Sequence, residues 1–386
     1  MKVTFYSNFL NHHQLPFCKE MINMLGNNFK FVATEKIPTE RINLGYEDMN
    51  DKYDFVIKEY ENKDEALLLA KESDVILIGN APNKYIQTAI KNNKLCFRYS
   101  ERIYKKGFSI KKWLSLIKNI TFREHKNCHL LCSSAYTSND FRKSLAYINK
   151  TYKWGYFPEV KKYESIEKIM MRKNDNTILW VARFIDWKHP EIVVELANKL
   201  KNKGYKFNIK MIGIGPLEDS IKEMIYNYNL EDNILLMGSM PPEEVRKEME
   251  LSQIFIFTSD RNEGWGAVLN EAMNSACAVV ANSAIGSVPF LIKNKENGLI
   301  YENGNFDDLY SCVTSLLNNA KTCNKLGENA YYTMLNTWNP TLAAQRFIKL
   351  SKSLNASKKS NIFEDGPCSK SYIIKDNWYK NGKKVI

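Results

Sequence analysis

The stretch Ile254-Phe255-Ile256-Phe257-Thr258-Ser259-Asp260-Arg261-Asn262-Glu263-Gly264-Trp265-Gly266-Ala267-Val268-Leu269-Asn270-Glu271-Ala272-Met273 decides the fold. Its first four residues are apolar and β-branched or aromatic, which suits a buried strand, and Thr258-Ser259-Asp260 ends that strand in a turn. Beyond Gly264 and Gly266, the residues Ala267, Leu269, Glu271, Ala272 and Met273 favour a helix. A helix start presents unpaired N–H groups and partial positive charge, and glycines let an anion approach the backbone. Glu263 in the turn and Glu271 one turn into the helix repel phosphate. As strong acceptors they suit sugar hydroxyls. Taken alone, the spacing is better explained by two acidic residues that complement a helix dipole, and it is the surroundings that reverse this.

The same alternation of strand and helix runs outward in both directions. Strand-like runs fall at 3–7, 29–33, 55–57, 75–78, 95–99 and 130–132, with helical periodicity at 15–25, 63–73 and 85–92. A second set follows at 177–182, 207–212, 234–238, 254–257, 278–281 and 298–300, with helices at 191–200, 306–319 and 340–354. The pattern predicts an α/β protein with doubly wound parallel sheets and ligands at the carboxyl ends of the strands. Trp154-Gly155-Tyr156-Phe157-Pro158 and the charged stretch after it place a boundary near 158. The expected domains are 1–158, 159–345, and a helix with a basic tail, 346–386, that packs back on the first.

With 386 residues, 44% hydrophobic and 25% charged, the chain is ordinary for a globular protein and long enough for two cores. No apolar run reaches the roughly 18 residues that span a bilayer. The N-terminus is polar after Ser7, unlike a secretory signal, so a cytoplasmic location is expected. The eight cysteines lack zinc-site spacing and read as reduced, buried thiols, with no metal expected. The net charge of +12 suits nucleic acid, an anionic membrane or an acidic substrate, and a Lys- and Asn-rich composition explains it equally. Residues 101–126 hold eight Lys or Arg against Glu101 and Glu124, interleaved with Tyr104, Phe108, Trp113 and Phe122. They read either as a face for anionic lipid at the inner membrane surface or as a solvated helix whose aromatics pack on the sheet.

Polar residues at strand ends supply the candidate site. Asn11, His12 and His13 follow the first strand, Asn80 the fourth, and Glu101 and Arg102 the fifth. In the second half, Arg183 and Lys188 stand five apart at a strand-to-helix turn. Arg can fork a phosphate and Lys can act as a point charge, so together they suit a diphosphate. Gly213-Ile214-Gly215 ends the next strand but falls short of a full phosphate motif.

Four groups of residues, in order, resemble the retaining glycosyltransferases of family 4. They are Arg183 to Lys188, Gly213-x-Gly215-Pro216, Met237-Gly238 with Glu243-Glu244-Val245, and Glu263-Gly264-Trp265-Gly266 through Glu271-Ala272-Met273. The likeness is strong over 178–310 and architectural before that. Gly286-Ser287-Val288-Pro289 matches a later glycine turn, but this chain has Phe290 where many members have Glu. The resemblance implies a GT-B fold, two Rossmann-like domains facing a central cleft, with a hinge near 158 and after Pro340. It implies a nucleotide-sugar donor, foremost a UDP-sugar, and a saccharide or lipid-linked acceptor, with no metal or other cofactor. Arg183 and Lys188 would hold the diphosphate, with N–H groups from Gly264, Trp265, Gly266, Ala267 and Val268. Gly213 and Gly215 would line the donor, Met237 and Gly238 the base, Glu271 the ribose, and Glu263 the donor sugar. The acceptor would lie by Asn11, His12, His13, Asn80 and Arg102. Glu101 stands nearest to the position where many members have His. A nucleotide-sugar epimerase on the same fold, or a non-catalytic nucleotide or nucleic-acid binder, remains an alternative. The paired glutamates and cations argue against nucleic acid.

Overall fold

The computed structural model describes residues 1–386 except 40–41, 43–46, 119–122, 357–360, 376 and 381–386. Phe122 thus lies outside the described residues. The chain divides into a first unit, residues 1–159 with 338–374, and a second unit, residues 160–337 with 375–386.

The first unit holds β1 (Val3–Ser7), β2 (Phe29–Ala33), β3 (Val56–Lys58), β4 (Val75–Ile78), β5 (Leu95–Ser100), β6 (Cys128–Cys132) and β7 (Thr151–Lys153). All neighbours pair in parallel, in the order β3-β2-β1-β4-β5-β6-β7. Between them run α1 (Leu15–Leu25), α2 (Lys63–Glu72), α3 (Lys84–Lys91), α4 (Ile110–Lys118) and α5 (Thr137–Arg142). Local chemistry sets the helix ends: Pro16 lies in the first turn of α1, Gly26 takes φ 55° at its end, and Asn62 accepts from the Glu65 N–H to cap α2. Tyr6, Ile76, Ile78, Tyr85 and Leu130 form a core on one face of the sheet. Each such side chain contributes about 1.5–3 kcal/mol by leaving water. Cys96, Cys128 and Cys132 belong to that core, and burial pushes the Cys128 and Cys132 thiols up to about 12.

The second unit repeats the plan with β8 (Asn174–Val181), β9 (Asn208–Ile212), β10 (Ile234–Leu236), β11 (Ser252–Phe257), β12 (Ala278–Asn282) and β13 (Leu299–Tyr301). Its parallel order is β10-β9-β8-β11-β12-β13. The helices are α6 (Ile166–Arg172), α7 (Pro190–Asn202), α8 (Glu218–Asn227), α9 (Pro242–Leu251), α10 (Val268–Asn274), α11 (Val288–Leu291), α12 (Phe306–Leu317) and α13 (Ala320–Asn336). In both sheets the order reverses beside the first strand, between β1 and β4 and between β8 and β11. Chains leave opposite ways there, opening a crevice at the carboxyl ends. Ile178, Trp180, Ile254, Ile256 and Val280 lie in one core of this unit. A buried lysine locks its lower end. The Lys173 ammonium donates to the carbonyls of Ser252 (2.8 Å), Ser275 (2.9 Å) and Met249 (3.1 Å), so it holds the C-terminal ends of α9 and α10, and burial lowers its pKa.

Several sequence expectations need correction. Residues 338–345 belong to the first unit, not to a second domain ending at 345. The helix α14 (Pro340–Asn355) buries Ala343, Ala344, Phe347 and Leu350, and Phe347 lies 5.1 Å from Phe97 and 6.1 Å from Phe17 between ring centroids. An amphipathic pattern shows that a helix has a buried side but not which sheet it covers. Beyond α14, the Lys153 N–H donates to Ser369 and the Cys368 N–H to Lys153, so this segment runs along β7. Strand β8 begins at Asn174 rather than 177, β10 stops at Leu236 rather than 238, and α13 was not anticipated. Gly327 disrupts the apolar pattern of α13; an added Cβ there would lie 2.3 Å from the Ala276 carbonyl oxygen, so the glycine permits close helix packing. Among the described residues no helix is long and apolar enough to cross a membrane.

Candidate active site

Beside the switch point of the second sheet, the loops after β8 and β11 bring Lys188 and Glu263 together. After β8 the chain passes through Arg183 into a single 3-10 turn, Asp186–Lys188, before α7. After β11 it enters Thr258 to Gly266. The two loops are joined: the Asp260 N–H donates to the Trp187 carbonyl at 3.1 Å, and the Thr258 hydroxyl to the Lys188 carbonyl at 2.5 Å. That hydroxyl also accepts from the Trp180 indole N–H at 2.8 Å. Trp180 and Thr258 therefore fix the backbone of Lys188 from within the core.

The result is an ion pair between the Lys188 ammonium and the Glu263 carboxylate, whose side chains are only 12% and 11% exposed. The Lys188 ammonium also lies 4.2 Å from the Trp187 ring centroid, a favourable cation–π distance. Arg183 is exposed. His189, in the left-handed region at φ 54°, turns the chain into α7 and lies 3.6 Å from Asp260 and 2.8 Å from Glu191. Those carboxylates raise the imidazole pKa, the Glu191 hydrogen bond foremost.

Glycine placement has backbone causes. Gly213 takes φ 140°, and a Cβ on it would lie 1.9 Å from the Ala182 carbonyl oxygen; one on Gly215 would lie 2.4 Å from that of Phe184. Both let the loop after β9 press against the Arg183 loop, to which it bonds through Phe184 N–H to Ile214 O (3.0 Å). Gly213 N–H in turn reaches Gly238 O at 2.8 Å, and Met237 N–H reaches Met211 O, so Met237-Gly238 joins the same cluster. Gly266, at φ 80°, faces Phe257, which an added Cβ would meet at 2.4 Å.

The Trp265 side chain is interior, its indole N–H donating to Asn270 at 2.9 Å, so only its backbone faces the loop. Phe290 lies 6.3 Å from that indole between centroids and fills an apolar space. Gly264 and Ala267 are buried, Val268 is half-buried, and α10 starts at Val268 with no side-chain cap on Ala267. Glu271 is half-buried, and no hydrogen bond or ion pair among the described residues ends on its carboxylate. Burial pushes its pKa up, opposed by the Arg246 charge. Arg246, buried on α9, donates to the Glu271 carbonyl (3.3 Å) and the Asn274 side chain (2.9 Å) and so holds the helix.

In the first unit, the corresponding strand ends enclose a concavity of about 360 Å³ lined by Asn8, Asn11, Gln14, Asn80, Glu101 and Tyr156, among others. Glu101 is ion-paired with Lys105 and accepts from the Tyr156 hydroxyl at 2.5 Å. Burial pushes the Tyr156 and Tyr99 hydroxyls well up, so both are kept protonated as donors. The His12 and His13 rings lie 3.7 Å apart, tilted by 48°, with His13 parallel to Tyr156 at 5.7 Å, but neither lines the concavity. Arg102 does not line it either; its guanidinium sits 3.5 Å from the buried Asp140 and over the Tyr136 ring. Gln14 lies in the loop after the first strand that the sequence offers to an acceptor, whereas Tyr156 was missed because it reads as part of a domain boundary. Thr258 and Trp180 were missed because a strand and its last hydroxyl carry no site signal. Among the described residues no group of three or more His, Cys, Asp or Glu could hold a metal ion.

Residues 161–333, which contain the loops after β8, β9, β10 and β11 described above, match the family Glycosyl transferases group 1. A poly(ribitol-phosphate) alpha-N-acetylglucosaminyltransferase of Staphylococcus aureus is 25% identical over 174 residues, 45% of this chain and 34% of that protein. The putative colanic acid biosynthesis glycosyltransferase WcaL of Escherichia coli is 31% identical over 132 residues, 33% of this chain and 32% of that protein. The chain thus spans about a third of the length of these curated relatives. Among solved structures, Anabaena HepE in complex with UDP superposes with a TM-score of 0.69 at 14% identity, over 92% of this chain and all of that one. The protein therefore has the two-domain GT-B fold, and its second domain matches the glycosyl transferases group 1 family.

Proposed function

We propose that the protein is a glycosyltransferase that moves a hexosyl group from a nucleotide-diphosphate sugar to a saccharide or lipid-linked acceptor in cell-surface polysaccharide or glycolipid synthesis. One observation carries this: beside the second sheet's switch point a nearly buried lysine and glutamate form an ion pair, with an exposed arginine on the same loop as the lysine and Glu271, which carries no side-chain hydrogen bond from the described residues, on the helix after the glutamate's loop. The relatives' roles in ribitol-phosphate and colanic acid polymers support the acceptor class. HepE binds UDP, which supports a UDP-sugar donor.

Cleaving a sugar–phosphate bond builds negative charge on the diphosphate and positive charge on the anomeric carbon. Arg183 grips the diphosphate in a fork, and Lys188, already desolvated against Glu263, shares its charge with the incoming phosphate. Glu263 then accepts from sugar hydroxyls while remaining beside the developing positive charge. Glu271, whose carboxylate carries no hydrogen bond from the described residues, accepts from the ribose hydroxyls. Metal is not required in this scheme, because two cations and the backbone of 264–268 meet the charge. Retention of configuration rests on the family likeness: the acceptor attacks from the face the phosphate leaves, and the phosphate oxygen takes its proton. The concavity beside Glu101, with its protonated tyrosines and amides, suits an acceptor hydroxyl.

Thermal shift against UDP-, GDP-, ADP- and CMP-sugars identifies the donor, and transfer assays follow with Glu263→Ala and Arg183→Ala. Each variant is expected to lose transfer by at least about a hundredfold while staying folded. Near-normal turnover in either one refutes the site. Interconversion of donor sugars with no acceptor would replace transfer by epimerisation.

A further inference from the structure

A surface of the first unit, formed by the chain that follows the loop after β5 and by the turn after α5, joins exposed apolar side chains to cations. Phe108, Ile110 and Leu114 lead into and lie along α4, and Leu145 and Ile148 lie on the turn after α5; each is between 45% and 66% exposed. The two segments are fastened together. The Trp113 indole N–H donates to the Lys143 carbonyl at 3.0 Å, and the Tyr104 and Ser144 hydroxyls meet at 3.1 Å. Tyr104 is interior and Trp113 and Leu116 are half-buried, so the inward side of α4 is already satisfied. Ile110 and Leu114, one helical turn apart, extend its apolar arc beyond what the core covers.

Two further observations set this apart from scattered surface hydrophobes. Leu145 (φ 54°) and Tyr147 (φ 57°) are held in the left-handed region, which costs about 1 kcal/mol each for residues with a Cβ. This turn buries Tyr147 and Ala146 while keeping Leu145 and Ile148 in water. The border is also predominantly cationic: the one carboxylate that reaches it among the described contacts, Glu124, accepts from the Ile148 N–H at 3.4 Å and is offset by Lys150 at 3.6 Å. Lys106, Lys111, Lys112, Arg142 and Lys143 are exposed, and neither 102–118 nor 141–150 contains an Asp or Glu.

We propose that this face docks on a bilayer carrying anionic lipid, with Phe108, Ile110, Leu114, Leu145 and Ile148 entering the headgroup region and the five cations pairing with phosphates. Apolar burial and surface potential then act together, as in interfacial helices. A protein partner of mixed charge would leave the five exposed cations largely unmatched, which favours lipid. The proposal goes beyond glycosyl transfer and does not depend on it. Binding is measured without donor or acceptor, so its failure leaves the proposed activity intact, and the converse holds.

The test is co-sedimentation of the full chain with vesicles of phosphatidylcholine alone or mixed with phosphatidylglycerol. Binding is expected only to the mixed vesicles and weakens as salt is raised. Lys111→Glu with Lys112→Glu lowers the partition coefficient by about tenfold or more per reversal. Leu114→Ser with Leu145→Ser lowers it as well, with circular dichroism and melting unchanged because both residues are exposed. Equal binding to both vesicle types, binding indifferent to the charge reversals, or no binding at all overturns the proposal. So does self-association in sedimentation that the serine variants abolish while vesicle binding is absent, which assigns the face to a second copy of the chain.

Discussion

Removing one member of the Lys188–Glu263 pair leaves the other charge uncompensated in a site that is nearly nine-tenths buried. For such pairs the loss is about 3 kcal/mol, at the lower end of the fully buried range because some solvent reaches the rim. The two removals are unequal. Glu263→Gln leaves the ammonium 4.2 Å from the Trp187 ring centroid, which retains about 1 kcal/mol, whereas Lys188→Met leaves a carboxylate with no such substitute. In a domain of this size, about 3 kcal/mol lowers the melting temperature by about 6–12 °C, with Lys188→Met the more damaging by about 2–4 °C. The double variant Lys188→Met with Glu263→Met removes both charges and keeps the bulk. It is expected to melt well above the sum of the single effects, the signature of direct coupling. Differential scanning calorimetry, following the transition of the second unit, measures all three. Strict additivity, or single variants that leave that transition unmoved, refutes the pairing. Donor binding separates stability from function, because the double variant regains stability and not affinity.

Gly213→Ala inserts a methyl where the Ala182 carbonyl oxygen already sits, at a backbone angle of φ 140° that alanine avoids. The loop has to move, at a cost of about 2 kcal/mol or more, and Arg183 moves with it. Melting by circular dichroism should fall, and nucleotide-sugar affinity should fall more than melting alone explains. His129 supplies a pH prediction. Burial first, then Lys150 and Lys370, depress its pKa from the ordinary 6.5 to about 3. The imidazole stays neutral in the folded chain while the unfolded chain takes up a proton, so stability is full above about pH 6.5 and drains away as pH falls towards 3. His129→Phe, beside Phe97 and Tyr152, should flatten that acid limb in urea titrations from pH 7 to pH 4; an unchanged slope excludes His129 as its source.

The parallel sheets were legible because buried strands write themselves as short runs such as Val75–Ile78 and Phe255–Phe257, bounded by turn residues. Lys188 and Glu263 were legible as candidates too, since each follows such a run. Their meeting was not. It depends on the switch in strand order between β8 and β11, a tertiary fact, and on Thr258 and Trp180, whose one hydroxyl and one indole look like ordinary strand residues. Arg102 misled for a related reason. A charge after a buried strand looks functional, yet its partner, Asp140, arrives from a helix 38 positions later. The cationic surface was legible as composition over 101–126, but the turn at Leu145 that completes it is visible only in backbone angles.

The return of residues 338–374 to the first unit has a consequence for synthesis. The body of the second unit, 160–337, is an unbroken segment, so nearly all of its core is complete once Thr337 has emerged. The first unit begins earlier and must wait. Until α14 arrives, Phe17, Phe97 and Trp154 lack the Phe347 ring that lies within 6.1 Å of each. Exposed aromatic surface of this kind invites aggregation and chaperone capture. The part of the chain made first is thus the part finished last, and a ribosome stalled anywhere in 160–337 carries an open N-terminal half beside a growing second one.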